Sequence, residues 1–183
     1  MGAPTGAPGP PAEGQAGGGG RAFHVRPAST EEMDVVATLF RAYAASLEVD
    51  LSYQGFEAEL AALPGAYAPP AGALLIAVSA AGEPVGCVGV RALAEPGICE
   101  MKRLHTTPSV RGAGIGRALA VAAIHAATEA GYAAMRLDTL PLMTEAQTLY
   151  RRLGFEVTPP YYDSPVAGTI FMRKTLGPRD AEP

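Results

Sequence analysis

Between Cys99 and Ala130 the chain changes periodicity twice, and no other stretch restricts the fold as strongly. Residues Cys99 to Thr106 alternate as a half-buried strand does. From Ile115 to Ala130 apolar residues recur at helical spacing, and Gly131 stands where a C-cap glycine would. Between them lies Arg111-Gly112-Ala113-Gly114-Ile115-Gly116-Arg117, a glycine turn framed by two arginines. A strand that hands the chain to such a turn at a helix start builds an anion site, because unpaired N–H groups and the helix dipole face one point. Glycine lets a ligand approach that backbone closely.

The flanking sequence supplies the remaining elements of a mixed sheet with helices on both faces. Ala22 to Arg26 alternates and ends at Pro27, which predicts a first strand. Ser29 with Glu32 matches a capping box before a helix carrying Met33, Val36, Ala37, Phe40, Tyr43, Ala44 and Leu47 on one face. Glu48 to Tyr53 reads as a connector, and Gln54 to Leu63 as a shorter helix stopped by Pro64-Gly65. Ala73 to Val78 and Pro84 to Val90 predict a hairpin, followed by a strand from Ile98 to Thr106. After the glycine turn and its helix come a strand at Ala133 to Asp138, a helix at Met143 to Leu153, and strands at Phe155 to Thr158 and Thr169 to Thr175. The order is β-α-α-β-β-β-α-β-α-β-β, an α/β fold with about seven strands in one sheet.

At 183 residues the chain suits one domain. Residues 1–20 are rich in Gly, Pro and Ala and have too little apolar surface to offset ordering, so they read as a disordered tail, with the folded unit at 21–176 and a flexible end at 177–183. The tail lacks the apolar core of a secretory signal. No apolar run approaches the ~20 residues that span a bilayer. Cys87 and Cys99 fall in separate strand-like runs, as expected of buried thiols in a reducing cytoplasm. The formal charge of −4 argues against a nucleic-acid surface, and His24, His105 and His125 show no metal-ligand spacing.

The glycine spacing separates anion classes. A dinucleotide fingerprint needs G-x-G-x-x-G, and Gly112, Gly114 and Gly116 give G-x-G-x-G. A Walker loop needs Lys followed by Ser or Thr after its last glycine, which is absent. Arg111 to Gly116 instead resembles the [QR]-x-x-G-x-[GA] signature of the GCN5-related N-acetyltransferases. Leu104-His105-Thr106 with Pro108 is similar to the strand end preceding that signature, with Thr in place of Val. Ala146, Leu149-Tyr150 and Gly154-Phe155 resemble the family's downstream element, and the likeness extends from Phe23 to Leu176.

The resemblance implies the single-domain acyl-CoA N-acyltransferase fold and acetyl-CoA as co-substrate, with no metal. It implies that the preceding strand splays from the next, that pantetheine pairs with the main chain of Leu104, His105 and Thr106, and that the pyrophosphate rests on Arg111, Gly112, Ala113, Gly114, Ile115, Gly116 and Arg117. The His105 side chain is expected on the other sheet face and not in catalysis. Met143 replaces an asparagine frequent in the family, a loss for which Thr144 or the Asp138-Thr139 pair would substitute.

Acetyl transfer to an alkylamine requires removal of an ammonium proton, since its pKa lies near 10, and delivery of an acid to the departing thiolate. The resemblance makes Tyr150 the acid and leaves Glu100 and Asp138 competing as base. Strict alternation places Glu100, Lys102, Leu104 and Thr106 on one face. Tyr43, Tyr53, Tyr161 and Tyr162 are the expected acceptor-lining residues, for a small-molecule or peptide amine. Dimerisation through the late strands is compatible with such a fold. The competing expectation is a catalytically silent acyl-CoA-binding module.

Overall fold

The computed structural model describes residues 23–47 and 49–177, so the tail at 1–20, residue 48 of the connector and the end from 178 lie outside the described residues. Seven strands form one sheet: β1 (Phe23–Pro27), β2 (Ala73–Ser79), β3 (Pro84–Ala92), β4 (Ile98–Thr106), β5 (Ala134–Thr139), β6 (Glu156–Val157) and β7 (Ile170–Thr175). Their spatial order is β1-β2-β3-β4-β5-β7-β6, antiparallel throughout except for the β4–β5 pair. Four helices cover the sheet: α1 (Met33–Ala45), α2 (Phe56–Ala61), α3 (Ile115–Glu129) and α4 (Thr144–Arg152). The expected order of elements holds throughout.

Two apolar cores follow from the two faces. Leu119, Ala120, Ala123 and Ala127 of α3 pack with Tyr150 of α4, Met135, Leu137 and Met172 on one side. Val36, Leu39 and Phe40 of α1 pack with Phe56 and Leu60 of α2, Leu74, Ile76 and Val78 on the other. Each fully buried Leu, Ile or Phe contributes about 1.5–3 kcal/mol relative to exposure. Before α1, Glu32 accepts from the Ser29 amide at 2.8 Å and is gripped by both terminal nitrogens of Arg26, which hold its pKa down to about 2. The second helix is shorter than its sequence suggests: a left-handed Gly55 (φ +68°) restarts the chain after a 3-10 turn at Ser52–Gln54.

The strand β4 departs from strict alternation, and this corrects the expected faces. Between the pairs Cys87–His105 and Gly89–Lys102, β3 advances two residues while β4 advances three. The extra residue is a β-bulge, with Arg103 at φ +60°. Glu100, Lys102 and Arg103 therefore lie on the α1–α2 face, whereas Leu104 packs in the α3–α4 core and Thr106 approaches Gly86 and Gly116. Glu100 and Lys102 do not share a face with Leu104 and Thr106, because one inserted residue inverts a period of two. Left-handed backbone at a residue with a side chain costs about 1–3 kcal/mol and persists only where the surroundings enforce it.

Candidate active site

Beside the bulge the sheet opens. Strand β5 pairs with β4 only at Ile98, Cys99 and Glu100, so from Met101 onward β4 faces β5 without a ladder. A groove of about 440 Å³ runs along this opening, bordered by Leu104, His105 and Thr106 on β4, Tyr43 and Leu47 from α1, Arg111, and Met143 to Ala146 at the start of α4. Leu142, at its mouth, is 80% exposed.

At one end stands the turn before α3. Gly112 (φ +83°) and Gly114 (φ +79°) both take the left-handed conformation, which is what the glycines are for. Ala118 is the first amide bonded back into the helix, to the Gly114 carbonyl at 3.0 Å. The amides of Ile115, Gly116 and Arg117 are left without a backbone acceptor, as at any helix start. Arg111 and Arg117 are both exposed, and among the described residues neither makes an ion pair.

At the other end the groove narrows to a cavity of about 10 Å³, room for a single water, lined by Tyr43, Lys102, Arg103, Leu104, Asp138, Met143 and Tyr150. Tyr150 is buried edge-on against Phe155 with ring centroids 5.8 Å apart. Burial, with Tyr43 and Asp138 nearby, pushes its pKa up, so the phenol keeps its proton at neutral pH. Asp138 accepts from Lys102 Nζ at 2.8 Å, with the two side chains 10% and 6% exposed. Glu100 is more deeply held. At 1% exposure it accepts from Arg91 Nε at 2.8 Å and from the Tyr161 hydroxyl at 2.7 Å, with Lys102 Nζ at 3.7 Å. Such pairing is what allows carboxylates to stay ionised inside a protein.

Three of the four expected acceptor-lining tyrosines, Tyr43, Tyr161 and Tyr162, lie beside these carboxylates. Tyr43 borders both cavities and has its pKa pushed up to about 12 by burial. Tyr161 and Tyr162 stack edge-to-face on Phe171 at 5.2 and 5.0 Å, and the Tyr162 hydroxyl lies beside Asp138. Tyr53, in the turn before α2, accepts from Gln54 Nε2 at 2.9 Å and borders neither cavity. The His105 side chain does sit on the α1 face, edge-on to Tyr43 at 6.2 Å, with Nε2 buried and unpartnered. Burial and then Arg111 push its pKa down, leaving the imidazole neutral at pH 7.

Sequence reasoning passed over Arg91, Arg103 and Glu59, and placed Lys102 only by its face. Two consecutive cations inside an apolar strand were the available signal, since such residues are buried only when paired. Glu59 carried none. Both cysteines are buried free thiols, and burial raises the Cys99 pKa to about 12. Among the described residues no cluster of three metal-ligating side chains occurs, and no helix is long and apolar enough to cross a membrane.

Comparison with known proteins agrees with this geometry. A profile described as "Acetyltransferase (GNAT) family" matches residues 36–155. An uncharacterised N-acetyltransferase of Schizosaccharomyces pombe is 37% identical over 143 residues, covering 78% of this chain and 88% of that one. Among solved structures, a GNAT acetyltransferase of Staphylococcus aureus superposes with a TM-score of 0.71 at 17% identity, covering 85% of this chain and all of that one. A GNAT phosphinothricin acetyltransferase of Sinorhizobium meliloti, solved in complex with acetyl-CoA, gives 0.65 at 19% identity, covering 85% and 89%. The opened β4 edge, the glycine turn at its end and these matches together make the chain an acetyltransferase enzyme belonging to the GNAT family.

Proposed function

We propose that this enzyme transfers the acetyl group of acetyl-CoA to a primary amine of a small molecule or peptide by direct attack, and that residues 21–176 form the catalytic unit. The observation that carries the reading is the separation of β4 from β5 after Glu100, with a glycine-turn anion site at one end of the opening and Tyr150 and Asp138 at the other. Pantetheine would pair with the free edge at Leu104 to Thr106, and the pyrophosphate would rest on the amides of residues 112–117 beside Arg111 and Arg117. The solved Sinorhizobium relative, with acetyl-CoA bound, supports that donor.

The proton inventory favours Asp138 over Glu100 as base. Asp138 borders the closed end of the groove, whereas Glu100 is enclosed by Arg91, Lys102 and Tyr161 and borders neither cavity. Asp138, directly or through a water in the small cavity, takes the ammonium proton; the neutral amine then attacks, its N–C bond forming as the C–S bond breaks, Tyr150 protonates the departing thiolate, and the second proton lost by the nitrogen restores the phenol. Pairing of both carboxylates is the observation that favours the second reading, a silent acyl-CoA-binding module. Release of free thiol from acetyl-CoA, measured over a panel of alkylamines, arylalkylamines, amino acids and short peptides, separates the two. Turnover with at least one amine, lowered about 100-fold in kcat by Tyr150→Phe, is expected. Calorimetric binding of coenzyme A with no turnover across the panel would establish the module instead.

A further inference from the structure

One side chain of β4 holds the wall on the acceptor side of the cleft. Arg103 is 3% exposed and occupies the left-handed point of the bulge. Its Nε and one terminal nitrogen grip Glu59 of α2 at 3.0 and 2.6 Å, and the other terminal nitrogen donates to Gln54 Oε1 at 2.8 Å. The guanidinium carbon lies 5.1 Å from the Phe56 ring centre and 5.9 Å from that of Tyr43 on α1. Glu59 accepts in addition from the Tyr67 hydroxyl at 2.8 Å. No backbone hydrogen bond joins residues 52–61 to β4, so these side-chain contacts are the polar tie between them.

The same residue lies three positions beyond Glu100, the last residue of β4 that pairs with β5. The phase of the edge at Leu104 to Thr106 and the direction of the side chain that holds α2 thus both depend on the backbone at Arg103. We infer that Arg103 is a positioning residue that couples the two sides of the cleft: a donor paired along Leu104 to Thr106 fixes the bulge, and the guanidinium passes that constraint to α2 and Tyr43, setting the width of the acceptor entrance. The inference rests on the acetyl-CoA reading given under Proposed function. Arginine suits the task and lysine does not, because a planar fork takes both oxygens of Glu59, keeps a donor for Gln54 and offers its face to two rings.

Backbone hydrogen exchange on the full chain, with coenzyme A as the probe and calorimetry alongside, tests this. In the wild type, coenzyme A should slow exchange both at residues 104–118 and at residues 52–61. Arg103→Ala should keep its Kd for coenzyme A within threefold and its protection of 104–118, yet lose the response of 52–61; Arg103→Lys should regain part of it. With the fastest amine of the panel, Arg103→Ala should raise the acceptor KM at least tenfold and change the acetyl-CoA KM less than threefold, a split that a lowered folded fraction would not produce. Should Arg103→Ala not fold, Glu59→Gln removes the charge at constant shape and should show the same split more weakly. The coupling is overturned if 52–61 does not respond to coenzyme A in the wild type, if the response survives in Arg103→Ala, or if the two KM values move together. Absence of binding, with no response at 104–118 either, overturns the donor reading and the coupling with it.

Discussion

The two ends of the groove are built from different materials. At the turn before α3 the groups on offer are backbone amides and two exposed arginines without ion-pair partners among the described residues. Around Asp138 they are side chains, almost all buried and mutually engaged: Arg91, Glu100, Lys102, Asp138, Arg103, Glu59 and four tyrosines. Backbone donors suit a ligand that never changes, since no substitution short of a change in φ removes them. A side-chain network can be rewritten residue by residue, which suits the variable partner of a two-substrate reaction. The contrast also orders their sensitivities: the charged end is fragile to single changes and the glycine end tolerant.

Asp138→Asn and Glu100→Gln should break that contrast most sharply. Asp138→Asn should lower kcat about 100-fold at pH 7, with partial recovery as rising pH deprotonates more of the amine. Glu100→Gln should act on stability and not on the pH–rate profile, by about 3 kcal/mol, because Arg91 and Lys102 lose a buried counter-charge; the 30% exposure of Arg91 keeps the loss at the lower end of the usual range, and Asp138→Asn, which removes the 2.8 Å partner of Lys102, should add a stability loss to its kinetic one. Urea unfolding of both variants beside their pH–rate profiles decides which carboxylate does which. At the glycine end, Gly114→Ala places a methyl group in open space but at a left-handed φ, so a loss of only about 1–2 kcal/mol is expected, with weaker coenzyme A binding. Arg111→Ala should raise Kd for coenzyme A roughly fivefold and flatten its salt dependence, if the proposed contact of this exposed arginine with the pyrophosphate holds. The smallest effect belongs to His105, which lies between the two ends. Its folded pKa is below the ordinary value near 6.5, so the unfolded chain binds the proton first as pH falls. Stability is therefore full above about pH 6.5 and declines below it until the folded imidazole also protonates. His105→Gln should remove roughly 2 °C of that fall in Tm between pH 7.5 and 5.5.

The glycine end was legible in the sequence because its information is local. Gly112 and Gly114 announce φ values that other residues avoid, and the periodicities on either side locate the strand and helix ends to within a residue or two. The charged end was legible only in its members. Glu100, Asp138, Tyr161 and Tyr162 were each singled out, yet the pairing of Tyr161 with Glu100 spans 61 positions and that of Lys102 with Asp138 spans 36. Contacts at such separations are set by strand order and register, which no local pattern encodes. The faces of Leu104 and Thr106 were misassigned for a related reason, since nothing in Lys102-Arg103-Leu104 distinguishes a bulge from a regular pleat.

The bulge also divides β4 into two halves of opposite phase. A tolerance map along this strand should carry a two-residue rhythm that skips a beat at Arg103: polar replacements are refused at Cys99, Met101 and Leu104, and apolar ones at Glu100, Lys102 and Arg103. Deleting Arg103 would bring the rhythm back into step with Leu104 still on the apolar face and His105 still on the charged one, at the cost of the ties to Glu59 and Gln54. A single amino acid here works as punctuation, separating the stretch paired to β5 from the unpaired edge that follows.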